Sequence, residues 1–421
     1  MKKGIVILRF ICAISLIVVS VTGCNKVQPS ENTTGGVYHL PDSATPVDYA
    51  KLACDTYMST YDAEKLPPEN ALFYHQGVLL SGFERLYELT GDEKYFEYIK
   101  DYADSVTGPD GELVGVDHDY RLDSADSISA KALTMLDTKQ PAILFYNLYD
   151  KTGDEKYLNV INTISESMYY WPINKHGGYW HMMTEPNQMW LDSAYMAGVL
   201  SVMYSDMTED YRLMNRAIKQ VLLMNEYMKD DATGLYYHGW DASHAMGWAD
   251  KKTGLSEHFW GRAMGWYAVA ILDMLDYIPQ DHPSVPKLKK IEADLLDSLL
   301  KYQDGATGMW YQVVDKPGEK GNWIESSCTN LFLYSYAKAL RTGIISGEKY
   351  EDALKKGYDG MIKNSIRIDA DGKLVIDKIC IGTCIEEGTY EHYINRPQTN
   401  NDLHGGGAFI LMCTEMAKYL K

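Results

Sequence analysis

A ten-residue motif occurs twice in this chain, 62 residues apart: Leu86-Tyr87-Glu88-Leu89-Thr90-Gly91-Asp92-Glu93-Lys94-Tyr95 returns as Leu148-Tyr149-Asp150-Lys151-Thr152-Gly153-Asp154-Glu155-Lys156-Tyr157. A frayed third copy runs from Met203-Tyr204 to Met207-Thr208-Glu209-Asp210-Tyr211. Apolar residues at helical spacing precede the first turn (Val78, Leu79, Phe83, Leu86) and follow it (Tyr95, Tyr98, Ile99). Thr-Gly-Asp suits a helix ending on a left-handed glycine and an aspartate capping the next helix. The repeat unit is therefore a helical hairpin, and the 377 residues from Thr45 to Lys421 hold about six of them. Glycine-plus-aromatic segments close other helices: Gly177-Gly178-Tyr179-Trp180-His181, Gly234-Leu235-Tyr236-Tyr237-His238 and Gly308-Met309-Trp310-Tyr311-Gln312. They read as loops at one rim that carry rings and polar groups to a common place. The expected fold is all-α, an (α/α)6 barrel of six helical hairpins. An open superhelix would repeat near 34 residues and lack such loops.

A formal charge of −18 disfavours nucleic acid as a partner. Thirty-three tyrosines and nine tryptophans against eight phenylalanines supply rings with polar handles, suited to large cores and to sugar faces. At the N-terminus, Lys2, Lys3 and Arg9 precede an apolar run from Ile11 to Val21, and Val21-Thr22-Gly23-Cys24 follows. This predicts a lipoprotein signal peptide over residues 1–23, lipid attachment at Cys24 and export to a bacterial membrane, on the cell surface or the periplasmic side. Losing its three basic residues takes the formal charge from −18 to −21. Residues 24–44 read as a flexible tether and 45–421 as a single catalytic domain. Among the remaining cysteines, Cys380 and Cys384 are close enough for a local disulfide, with buried thiols the alternative. No spacing matches a metal site, and no cofactor is expected.

Three segments offer chemistry. Asp192 lies in Gln188-Met189-Trp190-Leu191-Asp192-Ser193, an apolar stretch opening a helix. Desolvation there should raise its pKa and fit it to donate a proton, unless it is a plain helix cap. His238 sits in a glycine loop, His238-Gly239-Trp240-Asp241, where a structural or solvated histidine is the ordinary case. Arg262, between Trp260 and Trp266, offers a bidentate carboxylate clamp framed by sugar-stacking faces, or else an arginine stacked in the core.

Taken in order, Tyr74-His75-Gln76-Gly77, both Thr-Gly-Asp turns, Met189-Trp190-Leu191-Asp192, His238-Gly239-Trp240, Trp260-Gly261-Arg262, Gly265-Trp266, Gly308-Met309-Trp310-Tyr311-Gln312 and Asn401-Asp402-Leu403-His404-Gly405 resemble glycoside hydrolase family 105, the unsaturated rhamnogalacturonyl hydrolases. The resemblance spans nearly the whole mature chain. It implies release of a 4,5-unsaturated uronic acid from the non-reducing end of pectin (rhamnogalacturonan) oligosaccharides left by lyases. It also implies protonation at C4 and hydration of the C4=C5 bond. The family's principal acid/base aspartate falls on Asp192. Its second aspartate matches Asp137 in Leu136-Asp137, four residues before Pro141, although Ala142 stands where the family has glycine and Asp123 and Asp126 lie close upstream. Asp137 would hold or polarise the water and push the pKa of Asp192 up. His238, Arg262, Trp190, Trp260, Trp266 and, as a weaker match, Tyr74 fall on pocket positions. Three alternatives stand beside this reading: an unsaturated glucuronyl hydrolase acting on glycosaminoglycan-type products, a non-catalytic glycan-binding lipoprotein, and a conventional barrel hydrolase with a long open cleft.

Overall fold

The computed structural model describes residues 39–69, 71–114 and 133–421. The signal sequence with Cys24, most of the tether, and Asp123 and Asp126 lie outside the described residues. The order of elements is α1 (Pro46–Thr60), α2 (Tyr74–Thr90), α3 (Glu93–Ser105), α4 (Leu144–Thr152), α5 (Glu155–Ser167), β1 (Gln188–Trp190), α6 (Ser193–Thr208), α7 (Arg212–Tyr227), β2 (Gly239–Asp241), α8 (Gly261–Met274), α9 (Val285–Leu299), α10 (Ser326–Arg341), α11 (Glu348–Ser365), β3 (Ile366–Ile368), β4 (Leu374–Ile376), β5 (Ile379–Cys380), α12 (Tyr390–Ile394), β6 (Gln398–Thr399) and α13 (Leu403–Tyr419).

The expected barrel is present. Inner helices α2, α4, α6, α8, α10 and α13 form a closed ring, in which the 3-10 turn Gln140–Ile143 leading into α4 bridges α2 and α6, and each hairpin places the following helix outside it. The sixth pair joins the two ends of the chain, because α1 packs outside α13. Sequence decides which helix goes where. All fourteen residues of α8 are buried, as suits a helix with neighbours on every side. Outer helix α9 buries only one stripe, Leu288, Ile291, Leu295, Leu296 and Leu299, and turns Lys287 and Lys290 to water. The repeated turns are built as their residues imply. Gly91 and Gly153 adopt φ of 67° and 66°, and Asp92 and Asp154 accept from the N–H groups of Lys94 and Lys156. In the third copy Glu209 takes the left-handed position and Asp210 the cap.

Every inner helix starts at the same rim, so six positive helix ends face one region. The opposite rim is closed by ion pairs. Lys338 contacts Asp273 and Asp276 at 2.6 Å each, and Arg341 meets Glu415 at 2.5 Å. The glycine-aromatic loops climb to the site rim and end on buried polar side chains: His181, His238 and Gln312. The five described cysteines are all free thiols, so Cys380 and Cys384 form no disulfide.

The Gly405-Gly406-Gly407 run packs α13 against three neighbours in turn: Ile379 of β5, Tyr57 of α1 and the Val78–Leu79 backbone of α2. A Cβ on Gly407 would meet the Val78 carbonyl oxygen at 2.4 Å and the Leu79 nitrogen at 2.6 Å, backbone atoms that cannot swing away. Alanine normally favours a helix interior over glycine. Gly407→Ala should nevertheless destabilise the fold by about 1–3 kcal/mol, the cost of overpacking. A thermal melt at or above the wild-type midpoint would contradict this packing account.

Candidate active site

Two aspartates meet at the rim where the inner helices begin, and each is seated by the same device. The Leu136 N–H donates to the His181 carbonyl at 3.0 Å, and the Leu191 N–H donates to the His238 carbonyl at 3.0 Å. The next residue is the acid in both cases. Asp137 Oδ1 thus stands 3.5 Å from His181 Nε2, and Asp192 Oδ2 stands 3.4 Å from His238 Nε2. The two loops are tied together by antiparallel pairing of β1 with β2, which sets Trp190 opposite Gly239. Asp192 occupies the cap position of α6, yet its side chain accepts no capping hydrogen bond. It points into the site instead. Both acids are 8% exposed, sunk but not sealed.

The charges of the pair divide. Burial, reinforced by the negative charge of Asp192, raises the Asp137 pKa well above the carboxylate range. Burial acts on Asp192 too, but the contact with His238 and the proximity of His181 outweigh it, and its pKa is lowered. This reverses the sequence expectation that desolvation would raise Asp192 and that Asp137 would push it higher. The sequence could not show that a histidine would be held against Asp192. Burial keeps both histidines neutral, with His181 lowered to about 4 and His238 also lowered. The Tyr393 hydroxyl lies 2.8 Å from His238 Nδ1, which suits a ring whose Nε2–H faces Asp192. The two carboxyls are thus pushed in opposite directions, Asp137 toward its protonated form and Asp192 toward its ionised form.

The remaining predicted residues surround this pair in roles that differ from expectation. Arg262 is 1% exposed and lies over the Trp260 ring, 4.4 Å from its centroid. Its Nη1 and Nη2 donate to the carbonyls of Cys380 and Ile381 at 2.6 Å each. It is an anchor for the backbone rather than a free carboxylate clamp. The tryptophans are likewise covered by protein: Trp190 stacks on His181 at 4.3 Å, and Trp266 stacks on Tyr195 at 5.0 Å. Trp260 donates its indole N–H to Gln312 Oε1 at 3.1 Å. These rings wall the site and leave no open sugar-stacking face. Tyr74 stands at the start of α2, edge-on to Trp266.

Four polar residues outside the predicted set complete the rim. His181 occupies in its loop the position that His238 occupies in the next, a correspondence visible in the sequence. Asp402 and His404 pair at 2.7 Å, and His75 Nδ1 lies 3.9 Å from Asp402. Among the described residues this trio alone groups metal-type ligands, with its ligating atoms within 4.8 Å of one another. Asp402 and His404 are already bonded to each other, and Arg262 and the helix N-termini make the surroundings positive. Burial opposes ionisation of Asp402, but His404, His75 and Arg262 hold its carboxyl far below the usual range. The chemistry fits an internal ion pair better than a cation site.

The sequence model of Glycosyl Hydrolase Family 88 matches residues 49–420. The chain belongs to glycosyl hydrolase family 88. A solved structure of a family 105 glycoside hydrolase from C. acetobutylicum ATCC 824 superposes with a TM-score of 0.80 at 30% identity, over 88% of this chain and 99% of that one. The unsaturated rhamnogalacturonyl hydrolase YesR of Bacillus subtilis is 24% identical over 82% of this chain and 89% of its own length. The unsaturated 3S-rhamnoglycuronyl hydrolase of Alteromonas sp. (strain LOR) is 21% identical over 93% and 88%. This family 88 protein is a glycoside hydrolase, and the resemblance to family 105 read from its motifs stands.

The protonated Asp137 has a thermodynamic signature. In the unfolded chain the carboxyl ionises near pH 4, while in the fold its pKa is raised. The folded state then binds more protons, so this group costs stability progressively as pH rises above about 4. Asn carries no such penalty. Asp137→Asn should therefore melt higher than wild type, with a gain small at pH 4 and growing to pH 8. A gain that is absent, or that shrinks as pH rises, would refute a protonated Asp137.

Proposed function

We propose that this hydrolase removes the 4,5-unsaturated uronic acid from the non-reducing end of lyase-generated oligosaccharides. The observation that carries the reading is the pair of sunk carboxyls with opposite pKa displacements, one proton between them. Such a pair can give a proton and then take one back. Asp192 is the acid–base group and Asp137 the resting store of its proton. An incoming uronate carboxylate adds negative charge beside the pair and raises the pKa of the acid it approaches, which draws the proton to Asp192. Asp192 passes this proton to C4 and positive charge develops at C5. Water adds to C5 and returns its proton to Asp192. The resulting hemiketal opens and expels the glycan. The glycosidic bond is never attacked directly, so the spacing of the carboxyls carries no forecast of retention or inversion.

A rhamnogalacturonan-type substrate is favoured over a glycosaminoglycan type because YesR and the Alteromonas enzyme both act on rhamnose-containing unsaturated ends by name. The paired acids disfavour a silent binding module. The test is absorbance of the conjugated C4=C5 bond on unsaturated rhamnogalacturonan and glycosaminoglycan ends. Loss on the former, cut at least ~10²-fold by Asp192→Asn, is expected. Unaltered absorbance with wild type on both would contradict the reading.

Residues 1–24 support an exported, lipid-anchored enzyme tethered by the segment that follows. Labelled fatty acid should enter the wild-type protein and be lost in Cys24→Ala. Equal labelling of the two would overturn lipid attachment at this cysteine.

A further inference from the structure

Beside the acid pair lies a small polar space that none of the steps above uses. Tyr74 and His75 are the first two residues of α2, and facing them is Gly382, in the strap that follows β5. His75 Nε2 is buried and has no hydrogen-bond partner, and the Tyr74 hydroxyl lies beside it at the same face of Gly382. A Cβ built on Gly382 would stand 3.7 Å from Tyr74 Oη and 3.8 Å from His75 Nε2, ordinary contacts without a clash. Gly382 does not have a left-handed φ, so its backbone does not require glycine. What glycine provides here is room.

The strap is held firmly. Arg262 binds the carbonyls of Cys380 and Ile381, and His404 Nε2 also donates to the Cys380 carbonyl, at 3.1 Å. The Cys380 N–H donates to Glu325 Oε1 at 2.9 Å, and Arg396 donates to the Gly382 carbonyl. The Ile381 N–H donates to the Pro397 carbonyl at 3.2 Å. Gly382 therefore cannot drift in to fill the space itself. Two polar atoms converge on a gap with fixed walls.

We propose that the space between Tyr74 Oη, His75 Nε2 and Gly382 receives one unsubstituted hydroxyl of the terminal sugar, and that Gly382 is a specificity-determining position. The inference rests on the sugar-hydrolase reading above. The donor and acceptor set selects a hydroxyl over the carboxylate. Burial and the neighbouring His404 lower His75 to about 3, so its ring is neutral. His75 Nδ1 lies 3.9 Å from the Asp402 carboxylate, which favours the tautomer with its hydrogen on Nδ1 and a lone pair on Nε2 facing the space. Burial keeps Tyr74 protonated, so its hydroxyl can donate. A sugar hydroxyl gives its hydrogen to His75 and accepts from Tyr74. A carboxylate has no hydrogen to give and would face Asp402.

The experiment compares kcat and KM of wild type, Gly382→Ala, His75→Phe and the double variant on unsaturated oligosaccharides, with a thermal melt of each. Gly382→Ala should melt like wild type and lose about tenfold or more in kcat/KM, mainly through KM, because its methyl displaces the hydroxyl and strands His75. His75→Phe should lose a similar factor. The double variant should lose no more than the worse single one, since both remove the same bond. Gly382→Ala within twofold of an active wild type, or losses that multiply in the double variant, would overturn this proposal alone. An inactive wild type would overturn it together with the reading it rests on.

Discussion

Two backbone hydrogen bonds govern the chemistry of this barrel, those from Leu136 and Leu191 to the carbonyls of His181 and His238. Each seats a Leu-Asp pair against the histidine that ends a glycine-aromatic loop, so the acids come from different turns of the barrel yet meet. The dyads are alike in construction and unequal in charge. His238 and His181 both favour the ionised form of Asp192, whereas Asp137 has burial and a negative neighbour against its own charge. Equal seats with unequal surroundings push two similar carboxyls in opposite directions, Asp137 toward the protonated form and Asp192 toward the ionised one.

The barrel makes this tolerable. Asp137, Asp192, Asp402 and Glu325 crowd one rim, where six inner helices present their positive ends and Arg262 adds a full charge. The same field would favour an anionic sugar arriving from solvent. At the other rim the helices end among Lys338, Arg341 and Lys418, cations that suit negative helix ends and close the barrel. Close contact between α2 and α13, through glycines with no room for a methyl, carries Tyr74, His75, Asp402 and His404 to one edge of the site.

Much of the fold was legible because helical hairpins are local. Thr-Gly-Asp turns and apolar stripes name their own partners, and the structure follows them at Gly91, Gly153 and Glu209. The site was legible as positions but not as roles. Asp192 and His238 come together as neighbours, and Asp137 joins them. That Asp192 would be the ionised member depends on His238 and Tyr393, which are separated by 155 residues. Arg262 read as a clamp because an arginine between tryptophans suggests one, yet its donors go to carbonyls 118 and 119 residues further along. The tryptophans followed the same pattern, with their faces taken by His181, Arg262 and Tyr195. His181 could have been found from the sequence, since it stands where His238 stands in a parallel loop. The gap at Gly382 could not, because an absent side chain acquires meaning only from what it faces.

In the proposed reaction a proton is delivered to C4 and water to C5, and the glycosidic bond falls apart afterwards. Turnover in heavy water, read by NMR or mass spectrometry of the released sugar, tests it most directly. The account predicts one solvent deuteron fixed on C4 and no unsaturated monosaccharide at any time in the course. Release of the uronic acid with its C4=C5 bond intact and C4 unlabelled would mean direct cleavage of the glycosidic bond, and would contradict the account.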